Sequence, residues 1–83
     1  MNAAKGEDSG RVIGTKQLIK YMEQDRVDEV ILARDAEPRV THRVLELASL
    51  KGVRVAYAPS MRELGRSCGI AVGAAAIGRL KNA

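Results

Sequence analysis

Val12-Ile13-Gly14-Thr15-Lys16-Gln17-Leu18-Ile19-Lys20 joins a short apolar run to an amphipathic segment through a single glycine. The pattern predicts a strand over Arg11–Ile13 and a helix from Thr15 to about Gln24, with apolar residues recurring at 18, 19 and 22. The first N–H groups of a helix have no intrahelical acceptors. A strand that feeds a helix through Gly14 therefore aims donors outward, at phosphate oxygens or other acceptors. Thr15 is the expected cap of that helix. Lys16, Gln17 and Lys20 share one neighbourhood, because Lys20 stands at i+4 from Lys16 and i+3 from Gln17. The opposite face carries Leu18, Ile19 and Met22, so one side packs while the other can bind something rich in acceptors and negative charge.

Beyond this stretch the same alternation continues. Glu29-Val30-Ile31-Leu32-Ala33 is a continuous apolar run with a β-branched start, the pattern of a strand buried on both faces near the centre of a sheet. Arg34-Asp35-Ala36-Glu37-Pro38 is a polar loop whose proline suits the first position of a helix, where a missing N–H costs nothing. Val40, Val44, Leu45, Leu47, Ala48 and Leu50 give that helix an apolar face, with Arg39, His42, Arg43, Glu46 and Lys51 outside, and Gly52 ends it. Val53 to Ala58 alternates like a strand. Pro59 breaks it, Ser60 is the cap of a short helix from Met61 to Arg66, and Cys68 to Gly73 is a glycine-bounded loop. Ala74 to Leu80 is expected as the last strand. Strand, helix, strand, helix, strand, helix, strand implies a three-layer α/β/α sandwich around a four-stranded sheet.

Eighty-three residues make one domain, with residues 1–10 expected as a flexible N-terminal arm and 11–83 as the folded unit. A chain this short buries only roughly 60–65% of its unfolded surface. With no Trp or Phe, the core must be aliphatic. Fourteen Lys and Arg against ten Asp and Glu give a formal charge of +4 and a sequence pI near 9.6, which favours polyanionic partners. Cys68 is the only cysteine, so no internal disulfide is available and no zinc spacing exists. A reducing cytosol fits that usage. No signal peptide pattern opens the chain, and its longest nearly uncharged run, Cys68 to Ile77, falls far short of the ~20 residues that span a bilayer. No membrane partner is expected.

Taken in order, Gly14-Thr15-Lys16-Gln17-Leu18-Ile19-Lys20, Asp35-Ala36-Glu37-Pro38, Pro59-Ser60, and Leu64-Gly65-Arg66-Ser67-Cys68-Gly69-Ile70 with the alanine run after it resemble the L7Ae/L30e family of ribosomal proteins, in its short bacterial form of YbxF type. The likeness runs from about Arg11 to Leu80. It implies an α/β/α sandwich with a mixed four-stranded sheet, and binding to kink-turn RNA: an internal loop with tandem sheared G·A pairs, a sharp bend and an extruded nucleotide. The implied partner is a structured RNA with such a motif, in rRNA or a regulatory leader, together with the ribosome; the implied state is a cytoplasmic monomer without cofactor, metal or catalytic residues. By the same resemblance Gly14 and Thr15 allow close backbone approach, Lys16 and Gln17 read guanine edges, and Lys20 holds RNA charge. Arg34 belongs to the RNA-facing set, Glu37 lies near the extruded base, and Ile70, Ala71 and Val72 form an apolar loop that packs on it. Archaeal and eukaryotic members have Asn-Glu where this chain has Lys16-Gln17. A Glu only accepts from guanine N–H groups, whereas Gln17 accepts through its carbonyl and also donates, which weakens the charge assistance.

Blander readings stand beside these. Asp35 and Glu37 precede a helix, where carboxylates serve capping and the helix dipole rather than acid–base catalysis. Gly65, Gly69, Gly73 and Gly78 match no phosphate-binding signature and are read as turn residues. His42 is expected on the surface, and Cys68 as a small residue packed at a loop edge. A protein-interaction or ribosome-assembly module, docking through Ile70 to Val72, is the alternative function.

Overall fold

The computed structural model describes residues 7–8 and 10–81. In chain order the elements are β1 (Glu7–Asp8), β2 (Arg11–Ile13), α1 (Thr15–Glu23), β3 (Val27–Ala33), α2 (Pro38–Lys51), β4 (Arg54–Ala58), α3 (Met61–Ser67) and β5 (Ala76–Leu80). The four strands expected from the sequence form a mixed sheet in the order β2-β5-β3-β4, and the two-residue β1 extends its β2 edge. β1 falls within the stretch expected to be a loose arm. Apart from Gly10, which is in a turn, the rest of that stretch lies outside the described residues.

The last strand in sequence is central in space. β5 runs antiparallel to both β2 and β3, and β3 runs parallel to β4. The carboxyl ends of β2, β3 and β4 therefore lie at one end of the sheet, beside the start of β5. α1 and α2 cover one face and α3 the other, as the two clusters of buried side chains show. Leu18, Met22, Val44, Leu47 and Ala48 pack with Val12, Val30 and Leu32 on the first face, while Leu64 and Cys68 pack with Ala33 and Ile77 on the second. Residues 30 to 33 alternate between these clusters, so β3 is buried on both sides, as its unbroken apolar run required.

Local chemistry explains most of the element boundaries. Pro38 occupies the first turn of α2, and Gly52 caps its end in the left-handed region at φ 68°. The Ser60 side chain accepts a hydrogen bond from the Glu63 N–H at 3.1 Å, capping α3. His42 is on the surface with Glu46 one turn on, 3.5 Å away. Cys68 is buried at the loop edge. β3 starts two residues earlier than the apolar run suggests, because the pairing with β5 shifts between Val27 and Glu29. That bulge at Asp28 resets the alternation, so Val27 and Val30, three apart, both reach the α1/α2 face. Leu50 does not belong to the apolar face of α2; it is 79% exposed.

The weak side-chain bulk of the final strand has a packing cause. A Cβ on Gly78 would collide with Leu18 Cδ1 and come within 3.3 Å of Val27 Cγ1. Gly78 is thus a close-approach glycine under α1, not a turn residue. Leu18 and Val27 are fully buried, so neither has free space to withdraw into. Gly78→Ala should lower stability by about 1–3 kcal/mol, the usual cost of forcing an extra carbon into a filled core; urea unfolding checks this through the transition midpoint, and an unchanged or raised midpoint contradicts the packing.

Candidate functional site

Gly14 sits at the junction of β2 and α1 with φ 107°, a conformation L side chains rarely adopt, and it is itself the residue before the helix. Thr15 is the first helical residue rather than the cap, and among the described residues no side chain caps α1. The difference of one position matters. The start of α1 keeps its outward N–H groups without a hydroxyl competing for them, and a glycine with no heavy atom within 4 Å of its missing Cβ leaves the approach open. Lys16 and Lys20 are exposed, Thr15 and Gln17 half-buried. Neither lysine has an ion-pair partner among the described residues, so their charge is available to a ligand.

Backbone hydrogen bonds at the same end of the sheet gather the other segments. The Gly14 N–H faces the Ala76 carbonyl at 3.4 Å, the Ala33 N–H donates to the Ala75 carbonyl at 2.9 Å, and the Arg34 N–H donates to the Ala58 carbonyl at 3.0 Å. These bonds bring the α1 start, the β3–α2 loop and the approach to β5 to one edge. Glu37 is the cap residue of α2, but its side chain makes no capping hydrogen bond. It is exposed and only loosely paired with Arg39, at 3.8 Å.

The loop between α3 and β5 is clamped by glycines. A Cβ on Gly65 would run into the Val72 carbonyl oxygen, and one on Gly73 would press on Met61 at 3.1 Å. The Ile70 N–H donates to the Gly65 carbonyl at 3.1 Å and the Ala74 N–H to the Met61 carbonyl at 3.0 Å. Gly65 and Gly73, read from sequence as turn residues, are instead positions of close backbone approach; Gly69, at φ 79°, is a genuine turn glycine. Ile70 is half-buried against the α3-side core, whereas Ala71 is exposed and Val72 is 71% exposed. The apolar loop therefore presents its second and third residues, with the first as its anchor.

Two further contributions were missed in the sequence. Asp35 Oδ1 accepts the Met61 N–H at 2.8 Å, tying the Glu37 loop to the start of α3. Arg34 lies over the Tyr57 ring, 5.1 Å from its centroid, beside a concavity of about 230 Å³ lined by Ala36, Pro38, Thr41 and Leu45. Tyr57 is one of only two tyrosines and the chain has no other aromatic, a signal that could have marked it. The assembled edge offers cations and N–H donors from α1, a carboxylate acceptor from Glu37, and apolar contact from Ala71 and Val72. Among the described residues no group of His, Cys, Asp and Glu could hold a metal ion, and no helix is long and apolar enough to cross a membrane.

The family model described as the ribosomal protein L7Ae/L30e/S12e/Gadd45 family matches residues 3–83. The chain belongs to this family. It is 53% identical over 66 residues to RNA-binding protein BH0128 of Halalkalibacterium halodurans, covering 80% of each chain. It is 41% identical over 70 residues to RNA-binding protein YbxF of Geobacillus stearothermophilus, covering 84% of this chain and 85% of that one. Among solved structures, the Giardia lamblia 15.5kD RNA binding protein superposes with a TM-score of 0.81 at 24% identity, over 88% of this chain and 62% of its own. That likeness establishes the shared fold.

Gly65→Ala is expected to push the Val72 carbonyl away and loosen the loop while leaving the sheet intact. Amide hydrogen exchange should quicken at residues 70–74 and stay slow in β3 and β5; unchanged protection of Ile70 and Ala74 would show that the loop does not depend on this contact.

Proposed function

We propose that this protein binds kink-turn RNA, with Gly14, Thr15, Lys16, Gln17, Lys20, Arg34, Glu37 and Ile70 to Val72 as the contact residues. The single observation that carries the reading is the start of α1 without a side-chain cap, with Lys16 and Lys20 free of ion pairs among the described residues, at the same end of the sheet as Glu37 and the exposed Val72. The names of its relatives, RNA-binding proteins in two bacterial species, support RNA as the ligand class. The formal charge of +4 favours a polyanion.

The physics favours a distorted RNA over a regular duplex. The major groove of A-form RNA is too deep and narrow for side chains to read, so sequence-selective contact needs a place where base edges are exposed. A sharp bend at sheared G·A pairs supplies one. Lys16 donates to guanine O6 or N7, and Gln17 accepts from guanine N–H groups through its amide oxygen. Lys20, one turn on, neutralises a phosphate. Glu37 accepts from the extruded base, and Ala71 and Val72 cover its apolar face. No chemical step is involved. In this reading the protein acts as a monomer in the cytosol, on rRNA or a leader RNA, and its family membership favours a ribosomal setting.

The test is a titration of a kink-turn duplex against the same duplex with its G·A pairs replaced by Watson–Crick pairs. The kink-turn should bind at least about tenfold tighter, the scale of one good base contact at roughly 1–3 kcal/mol; equal affinities would sink the idea. Gln17→Ala should narrow that ratio. Lys20→Ala should weaken both RNAs alike and reduce the slope of log affinity against log salt by about 1, as one fewer phosphate is neutralised.

A further inference from the structure

The tyrosine under Arg34 does no packing work that would explain it. Tyr57, next to last in β4, registers with Leu32 of β3, whose side chain belongs to the α1/α2 core, so the ring projects from that face of the sheet. It does not join the core there. Tyr57 belongs to neither buried cluster and is 50% exposed, whereas Tyr21, the other tyrosine, packs against the first cluster. β4 is the edge strand of the sheet, so no further strand covers the ring from the side. Pro38, Thr41 and Leu45 of α2 line the concavity of about 230 Å³ together with Tyr57 and with Arg34 and Ala36 of the preceding loop. Arg34 is exposed, with no ion-pair partner among the described residues. Its backbone N–H donates to the Ala58 carbonyl at 3.0 Å, which fixes the root of the side chain beside the ring.

We propose that the Arg34–Tyr57 pair is a stacking platform for a second unpaired base of the bound RNA, the loop nucleotide next to the extruded one; this rests on the kink-turn reading and extends its site by one residue, Tyr57. Three observations select a base as the occupant. The concavity is continuous with the RNA surface, because Glu37 stands in the chain between Ala36 and Pro38, which line it, without lining it itself. One loop thus separates the extruded base at Glu37 from the place at Tyr57, and neighbouring nucleotides that cross the loop fall on its two sides. The chemistry is that of base recognition: unstacked bases lie on aromatic rings and guanidinium planes, and Arg34 has donors to spare for base acceptors or the adjoining phosphate. The charge agrees. Arg34 is the one charged group among the described residues that line the concavity, and no carboxylate among them opposes a phosphodiester. Its volume exceeds the roughly 150 Å³ of an engineered cavity that holds benzene, which leaves room for a flat ring.

The test titrates the full chain and its Tyr57→Ala and Tyr57→Phe variants with a kink-turn duplex, and with the same duplex made abasic at the nucleotide next to the extruded one. Tyr57→Ala should weaken binding of the intact duplex at least about fivefold, the scale of one base–aromatic stack, while Tyr57→Phe, which keeps the ring, stays within about twofold of the native chain. The abasic duplex should bind the native chain more weakly by the same factor, and Tyr57→Ala should weaken it no further. An equal loss on intact and abasic duplexes, the outcome of a merely structural ring, overturns the proposal. A second readout needs no alanine variant: of the two tyrosine ring resonances, assigned through Tyr57→Phe, that of Tyr57 should move upfield as the duplex is added while that of Tyr21 stays. A Tyr57 ring signal that RNA leaves in place overturns the proposal. The kink-turn reading is scored separately on the native chain. A preference for the kink-turn over its Watson–Crick counterpart, with Tyr57→Ala binding as tightly as the native chain, sinks this inference alone; no preference sinks both.

Discussion

The packing of Leu18 onto Gly78 is the contact on which the rest of the structure depends. β5 arrives last in sequence yet lies between β2 and β3, so the sheet exists as one piece only when this strand is inserted. A side chain at residue 78 would hold α1 away from it. Without a side chain there, Leu18 descends to the strand backbone and is fully buried, a burial that contributes on the order of 1.5–3 kcal/mol. The same seating fixes the rotation of α1 about its axis. With Leu18 and Met22 turned inward, Lys16 and Lys20 are held outward at the end of the sheet where β2 stops.

From that constraint follows the division of the molecule into two ends. At the carboxyl ends of the parallel strands, backbone bonds from Gly14, Ala33 and Arg34 gather the α1 start, the Glu37 loop and the glycine-clamped loop before β5. Open α/β sheets commonly bind ligands in this position, outside the carboxyl ends of their strands. The proposed RNA surface is rigid because its parts hang from the sheet and from each other: Asp35 holds the N–H of Met61, and Met61 in turn accepts from Ala74. A preformed surface loses less conformational entropy on binding than a loose one. The other end of the sheet has a different texture, with Arg11, Arg79, Glu29 and Arg54 in cross-strand register.

What the sequence made legible was whatever is decided locally. Pro38 and Gly52 bracket α2 by their own backbone preferences, and the run from Val30 to Ala33 could only be a strand buried on both faces. The helix start at Gly14 was legible for the same reason, although its cap was misplaced by one residue: Gly14 takes the capping position with a positive φ, and Thr15 is already helical. Illegible were the features that arise from residues far apart in the chain. The bulge at Asp28 is a property of pairing with β5, some fifty residues later. Gly65, Gly73 and Gly78 look like turn glycines until the backbone or side chain that presses on each is known. Asp35 reads as a helix-start carboxylate, but its partner is 26 residues away. The cross-strand row of Arg11, Arg79, Glu29 and Arg54 is likewise invisible in sequence, since its members come from four strands and meet only through register.

The account is tested most directly by mapping the RNA contact on the folded chain, through the backbone amide resonances of the isotope-labelled protein as a kink-turn duplex is added. It predicts that Gly14 to Lys20, Glu37, Ala71 and Val72 shift together and saturate at the same RNA concentration, while Leu50, Arg54 and Arg79 stay in place. Shifts centred on Arg11, Arg54 and Arg79, with Gly14 to Lys20 unmoved, would contradict it.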